Sequence, residues 1–194
     1  MKNTIKVVFL GIVGFALLVY LTLPDISKNE DVEVELSFEK FPKYFDVISS
    51  DPYSKKDDIF KSGTNRYIVV LNHDSLAVFK ELYKKTTKDI ILIANISNTP
   101  WLIKQIAVNG ELEKMYKTSK IPLINDSDGN FAKILNIKDN SQDRYFVFLL
   151  DSDDNLTKLF EASVKKGALQ DGISPLELEA NLDEFLSKLD KLSR

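Results

Sequence analysis

VVLNHDSLAVFKEL, residues 69–82, changes its periodicity in the middle. Val69, Val70 and Leu71 extend the apolar run that begins at Tyr67, the pattern of a short strand buried on both faces. The run stops at Asn72. From near Leu76 the apolar residues recur at helical spacing, so that Leu76, Phe79, Leu82 and Tyr83 share one face. The break carries His73, the single histidine of the chain, followed by Asp74 and Ser75. Asn72 and Asp74 suit the end of a strand, and Asp74 or Ser75 suits the cap of the helix that follows.

The same alternation continues downstream. DIILIANI (89–96) reads as a second buried strand. TPWLIKQIAVNGELEKMYKTS (99–119) opens with Thr99 as an N-cap and Pro100 at the first helical position, and Asn109-Gly110 is placed to break or kink that helix. IPLIN (121–125) is a third strand, DSDG (126–129) a turn and NFAKILNI (130–137) a short helix. RYFVFLLD and NLTKLFEASV alternate apolar and polar residues about Ser152-Asp153-Asp154, a β-hairpin. SPLELEANLDEFLSKL (174–189) closes as a helix, with Ser174 and Glu177 at capping-box spacing around Pro175. Leu178, Leu182, Phe185, Leu186 and Leu189 form its apolar stripe. Strands alternating with helices and then an antiparallel pair call for an α/β domain with a mixed sheet and helices on both faces.

Upstream, VEVELSF (32–38) alternates like a strand, Phe41, Tyr44, Phe45 and Ile48 recur at helical spacing, and SSDPYSKK (49–56) is turn chemistry. The first residues differ in kind. Lys2 and Lys6 precede an apolar run from Val7 to Leu23, a helix of roughly 25 Å, near the lower limit for a bilayer core. No small-residue cleavage pattern follows, since the exit reads Leu21-Thr22-Leu23-Pro24-Asp25. The run therefore reads as an uncleaved single-pass anchor, with a cleaved signal peptide and a soluble periplasmic chain as the alternative. Lysines before it and acids after it place the N-terminus in the cytoplasm and the rest outside the membrane, in the periplasm of a bacterium with two membranes. Three parts result: an anchor at 1–23, a tether with a peripheral strand and helix at 24–56, and a folded domain at 57–194.

Composition limits the chemistry. Hydrophobic residues at 44% and charged residues at 28% are ordinary for a folded chain of 194 residues. The part after the anchor holds all 29 acidic residues and all but two of the 26 basic ones, with its lysines scattered. Such a surface is unsuited to nucleic acid, which needs clustered positive charge. There is no cysteine. Disulfides, thiolate catalysis, cysteine-ligated zinc and a lipoprotein anchor are thereby excluded.

The order of elements resembles the thioredoxin-like fold, in particular its extracytoplasmic and peroxiredoxin-like branches. KDDIFKSGTNRYIVVLN (56–72) resembles the lead-in to the first buried strand of that family. IPLINDSDGNFAKILNI (121–137) is similar to its middle insertion, a strand ending in Asp-x-Asp-Gly before a helix. YFVFLLDSDDNLTKLFEAS (145–163) resembles its hairpin, whose turn usually reads Asp-x-Asp-Gly. The likeness spans about residues 57–190. It implies reactive cysteines near Ser75–Val78 and a cis-proline just before the hairpin, yet this chain has no cysteine, and SQDRYF (141–146) has no proline. Thiol-disulfide exchange and thiol peroxidase chemistry require a thiolate and are excluded.

Other chemistry at the break finds little support. A Ser-His-Asp relay needs its members to converge in space beside an oxyanion pocket, and no G-x-S-x-G elbow is present. Calcium loops starting at Asp126 or Asp151 fail at the sixth and twelfth positions, which are Phe131 and Ile137 or Leu156 and Ala162. Both stretches read as Asp-rich turns. The chain is thus expected to be a non-redox binding or scaffolding module with a protein partner, no cofactor and no catalytic residue. His73, Asp74, Ser75 and the sole tryptophan, Trp101, are its candidate ligand or partner contacts. The alternative is a small-ligand binder or cysteine-independent enzyme that uses the His73–Ser75 edge.

Overall fold

A computed structural model describes residues 36–48, 53–97 and 110–192. Its centre is a five-stranded sheet of β3 (Arg66–Leu71), β4 (Ile90–Asn95), β5 (Leu123–Asp126), β6 (Arg144–Leu150) and β7 (Leu156–Ser163), in the order β5-β4-β3-β6-β7. β3, β4 and β5 are parallel, whereas β6 runs antiparallel to β3, and β7 to β6. Parallel neighbours need a long crossover and antiparallel ones only a turn, so the switch falls where the connections shorten. This is the thioredoxin-like arrangement: two parallel strands flanking a helix, an inserted parallel edge strand, a hairpin and a closing helix.

The continuous apolar runs of β3 and β4 divide between two cores. Val69, Leu71, Leu92 and Ala94 face one side and Ile68, Val70, Ile91 and Ile93 the other, because successive side chains on a strand alternate. On the first side α2 (His73–Phe79), α3 (Glu111–Tyr116) and α5 (Pro175–Leu192) cover the sheet. The stripe expected on α5 is buried at Leu182, Phe185 and Leu189 and half-buried at Leu178 and Leu186. Its capping box forms, with Ser174 N donating to Glu177 Oε2 at 3.1 Å and Glu177 N to Ser174 Oγ at 3.3 Å.

The second side is sealed by aromatic residues. Phe38, Phe41, Phe45, Phe60 and Phe131 pack ring against ring, the tightest being Phe41 on Phe131 with centroids 4.5 Å apart. The helix expected from Phe41, Tyr44, Phe45 and Ile48 does not form. A 3-10 turn at Phe38–Lys40 leads instead into β1 (Tyr44–Phe45), which pairs antiparallel with β2 (Ser54–Lys55) ahead of α1 (Lys56–Ile59). Phe41, ahead of Pro42, is extended at φ −65° and ψ 143°, and the chain stays extended where Tyr44 pairs with Lys55 and Phe45 with Ser54. Phe45 then points inward and Tyr44 outward, a strand period and not a helical one.

Two boundaries also differ. α2 begins at His73, ahead of Leu76, and ends at Phe79 before a separate 3-10 turn at Leu82–Lys84. α3 is preceded by Gly110 at φ +71°, and the stretch before it, where a broken or kinked helix was expected, lies outside the described residues. Among the described residues no helix is long and apolar enough to cross a membrane. The anchor, the tether, most of the 32–38 strand, the helix start at Thr99-Pro100 and Trp101 lie outside the described residues.

Candidate functional site

The break between β3 and α2 sits at the C-terminal end of the parallel strands, where open α/β sheets place their ligands. Asn72 occupies the N-cap position of α2, but its side chain does not cap the helix. Its Nδ2 donates to the Ser141 carbonyl at 2.8 Å, and its Oδ1 accepts from Asn95 Nδ2 at 2.9 Å. Ser97 Oγ donates in turn to Asn95 Oδ1 at 2.9 Å. A chain of side-chain hydrogen bonds thus ties the ends of β3 and β4 to the loop before β6. Asp74 N, donating to the Gln142 carbonyl at 2.8 Å, adds a backbone stitch to that same loop.

His73, Asp74 and Ser75 are all buried. Neither Asp74 nor Ser75 caps α2, because the helix has already started at His73. Asp74 instead reaches the loop between β7 and α5, where its Oδ2 accepts from Gly167 N at 2.8 Å and its Oδ1 from Leu169 N at 3.3 Å. Asp74 Oδ1 also lies 3.2 Å from His73 Nδ1. A carboxylate can only accept, so the imidazole carries its proton on Nδ1 and leaves Nε2 as the bare acceptor. That Nε2 is buried and has no partner among the described residues. Burial holds the His73 pKa below its usual 6.5, against the opposing pull of Asp74.

Ser75 takes no part in a relay. Its hydroxyl donates to the Asn72 carbonyl at 2.6 Å, with the Arg144 carbonyl as a longer contact at 3.3 Å. The segment Ser75–Val78, where the family resemblance implies thiols, is buried, and Leu76, Ala77 and Val78 belong to the core. The structure therefore brings together three of the four candidate residues. The groups that hold them were not among the candidates: the Asn72, Gln142 and Arg144 carbonyls and the Gly167 and Leu169 amides. Backbone partners leave no side-chain signature in a sequence.

The two Asp-rich stretches are turns, as expected. Asp126 accepts from Phe131 N and Ala132 N, each at 3.0 Å, and so holds the start of α4 (Asn130–Ile134). Asp151 accepts from Asp153 N and Asn155 N, each at 2.9 Å. Away from the break, a cleft of about 650 Å³ lies between Tyr53, Lys55, Lys61 and Asp89, with Arg66 on its wall. Arg66 is committed, since its Nε and Nη2 donate to Asp89 Oδ2 at 3.0 and 2.7 Å and its Nη1 to the Ile59 carbonyl.

No protein-family model and no curated protein matches the sequence. Among solved structures the chain is similar to the N-terminal domain of PilB from Neisseria gonorrhoeae, with 16% identity, a TM-score of 0.37 and coverage of 64% of this chain and 87% of that one. It is similar to Peroxiredoxin Q of Xanthomonas campestris at 13% identity and a TM-score of 0.45, covering 82% and 97% of the two chains. A third likeness is to an exposed lipoprotein thioredoxin of Streptococcus pneumoniae, at 12% identity and a TM-score of 0.34, covering 63% and 86%. These neighbours are thioredoxin- and peroxiredoxin-like; the strand order and directions of the sheet carry the fold assignment.

Proposed function

We propose that this thioredoxin-like chain is a redox-inert binding module, carried outside the cytoplasmic membrane of a bacterium on residues 1–23 and serving as a docking or scaffolding part of a membrane-associated assembly. One observation carries the reading. Where a thiol site would need a reactive side chain and an open groove, this chain has no cysteine, and Asn72, Asn95 and Ser141 stitch the groove shut. What remains for the domain to use is its outer surface. Tyr44 in β1 and Tyr53 just before β2 stand there at 57% and 76% exposure, a residue type enriched among interface anchors. Photocrosslinking of the full chain in native membranes, followed by affinity capture, is expected to recover a specific partner, with a lower yield from Tyr44→Ala/Tyr53→Ala. Capture of nothing beyond a non-specific background overturns the reading.

A second reading has its own observation. The Nε2 of His73, unpartnered among the described residues, is an acceptor that a small ligand bearing a hydroxyl or amide donor could satisfy. Under it, His73→Ala abolishes ligand binding while the fold persists; unchanged binding removes it.

A further inference from the structure

The cleft beside Tyr53 lies at the end of the sheet remote from the break at Asn72. Arg66 opens β3, Asp89 precedes β4 and Pro122 precedes β5, so residues at the N-terminal ends of all three parallel strands line it. Its back wall is fixed. Arg66, 4% exposed, joins Asp89 at the start of β4 to the Ile59 carbonyl at the end of α1. Val47, Ile59 and Pro122 add apolar lining. The rest of the lining carries unspent positive charge. Lys55 and Lys61 are both exposed, and among the described residues no ion pair holds either ammonium. Other lysines are engaged, as Lys85 is by Glu179 and Asp183 and Lys88 by Asp190. We propose that this cleft docks an acidic segment of the protein partner, with its carboxylates on Lys55 and Lys61 and an apolar side chain of the same segment against Tyr53.

The charges of the lining decide the sign of the partner. Arg66 and Asp89 offset each other as a pair at 2.7 Å. Lys55 and Lys61 then stand against the single carboxylate of Asp58, a local excess of positive charge on a chain whose net charge is −3. Across β1 the balance reverses. The pocket that Tyr44 lines holds Asp46, Asp126 and Asp128 and no lysine or arginine. An acidic segment is therefore repelled from that side of β1 and drawn to the cleft. Charge placed in this way fixes register and speeds encounter more than it adds affinity. The cleft, at about 650 Å³, falls within the range of ligand sites, about 300–1,000 Å³. A small anion on the two lysines would leave Tyr53 uncovered at 76% exposure, whereas a peptide chain reaches both. The choice of an acidic segment rests on the docking role proposed above.

Peptides of opposite charge supply the test. The full chain, 15N-labelled and in detergent micelles, is titrated with acetylated, amidated Glu-Glu-Leu-Glu-Glu, with its Lys-Lys-Leu-Lys-Lys counterpart and with inorganic phosphate. Saturable amide shifts at Lys55, Lys61, Thr64 and Asp89 are expected with the acidic peptide alone, and its affinity is expected to fall as salt is raised. Lys55→Glu/Lys61→Glu is expected to weaken that binding roughly tenfold, because two attractions become repulsions. Should this variant fail to fold, Lys55→Gln/Lys61→Gln reads the loss of the attractions alone. The proposal is overturned if the acidic peptide gives no saturable shift, or if the basic peptide or the altered chain binds as well. Equal binding of inorganic phosphate overturns it too, by marking a bare anion site. Capture of a partner by photocrosslinking without peptide binding keeps the docking role and removes the acidic partner. Peptide binding without capture removes the docking role and keeps the chemistry of the cleft.

Discussion

Asp74 turns a local turn into a long-range tie, because its two carboxylate oxygens serve amides 93 and 95 residues away. Asp74→Ala leaves those two N–H groups and the imidazole Nδ1–H without their acceptor. A loss of about 2–3 kcal/mol in urea unfolding is expected, the usual cost of removing a charged acceptor from partly buried donors. Ser75→Ala removes a neutral hydroxyl bond and is expected to cost about 1 kcal/mol. His73 sets a pH dependence with a definite sign. Its folded pKa lies below 6.5, so at mildly acidic pH the unfolded chain takes up a proton that the native chain refuses. This contribution is complete above about 6.5 and is lost as pH falls below it, at most about 1.4 kcal/mol per pH unit. Unfolding curves at neutral and acidic pH should converge on a smaller slope in His73→Asn; an unchanged slope refutes the assignment. At this scale the sequence marked the residues and concealed their partners. His73 was conspicuous as the lone histidine, whereas Gly167 and Leu169 serve through backbone amides that any residue but proline supplies.

Among the elements, the β6–β7 hairpin shows what a departure from the family pattern costs. Asp154 stands where the resemblance places glycine, and it is held at φ +63°. That left-handed conformation is strained for a residue with a Cβ, even for Asp, which tolerates it better than most. Asp154→Gly is expected to raise stability by up to about 1 kcal/mol, read as a higher melting temperature, since relief of the strain outweighs the added chain entropy. α5 contributes through its buried stripe. Phe185 contacts Phe79 at 4.9 Å and Tyr145 at 6.0 Å between ring centroids, so Phe185→Ala opens a cavity and is expected to cost about 3–5 kcal/mol. A cost below 1 kcal/mol would mean that the helix is not a necessary wall of the core. The strong periods of α5, β3, β4 and the hairpin were legible because each element is long or apolar enough for its pattern to repeat. The Phe41–Ile48 stretch misled because four apolar residues fit a helical spacing by chance, and pairing of Tyr44 and Phe45 with Ser54 and Lys55 holds it extended.

For the molecule as a whole, the role proposed above is that of a protein that acts by position. If residues 1–23 are the anchor, deleting them moves the chain from the membrane fraction to the soluble fraction without changing its melting temperature; a full-length chain found soluble contradicts the anchor. Sequence alone determined that thiol chemistry is absent, since a residue type that is missing cannot be supplied by folding. From Tyr67 onward it also determined the order of strands and helices among the described residues, because hydrophobic period is a local property that burial imposes residue by residue. Tertiary structure alone decided that the break at Asn72 is closed and that Ser75 faces a carbonyl and not the histidine. It also decided that His73 is buried with one nitrogen unmet among the described residues. Those outcomes depend on carbonyls and amides brought from the 141–144 and 167–169 segments, whose backbone groups are the same in every sequence and acquire a role only where the chain folds back on itself.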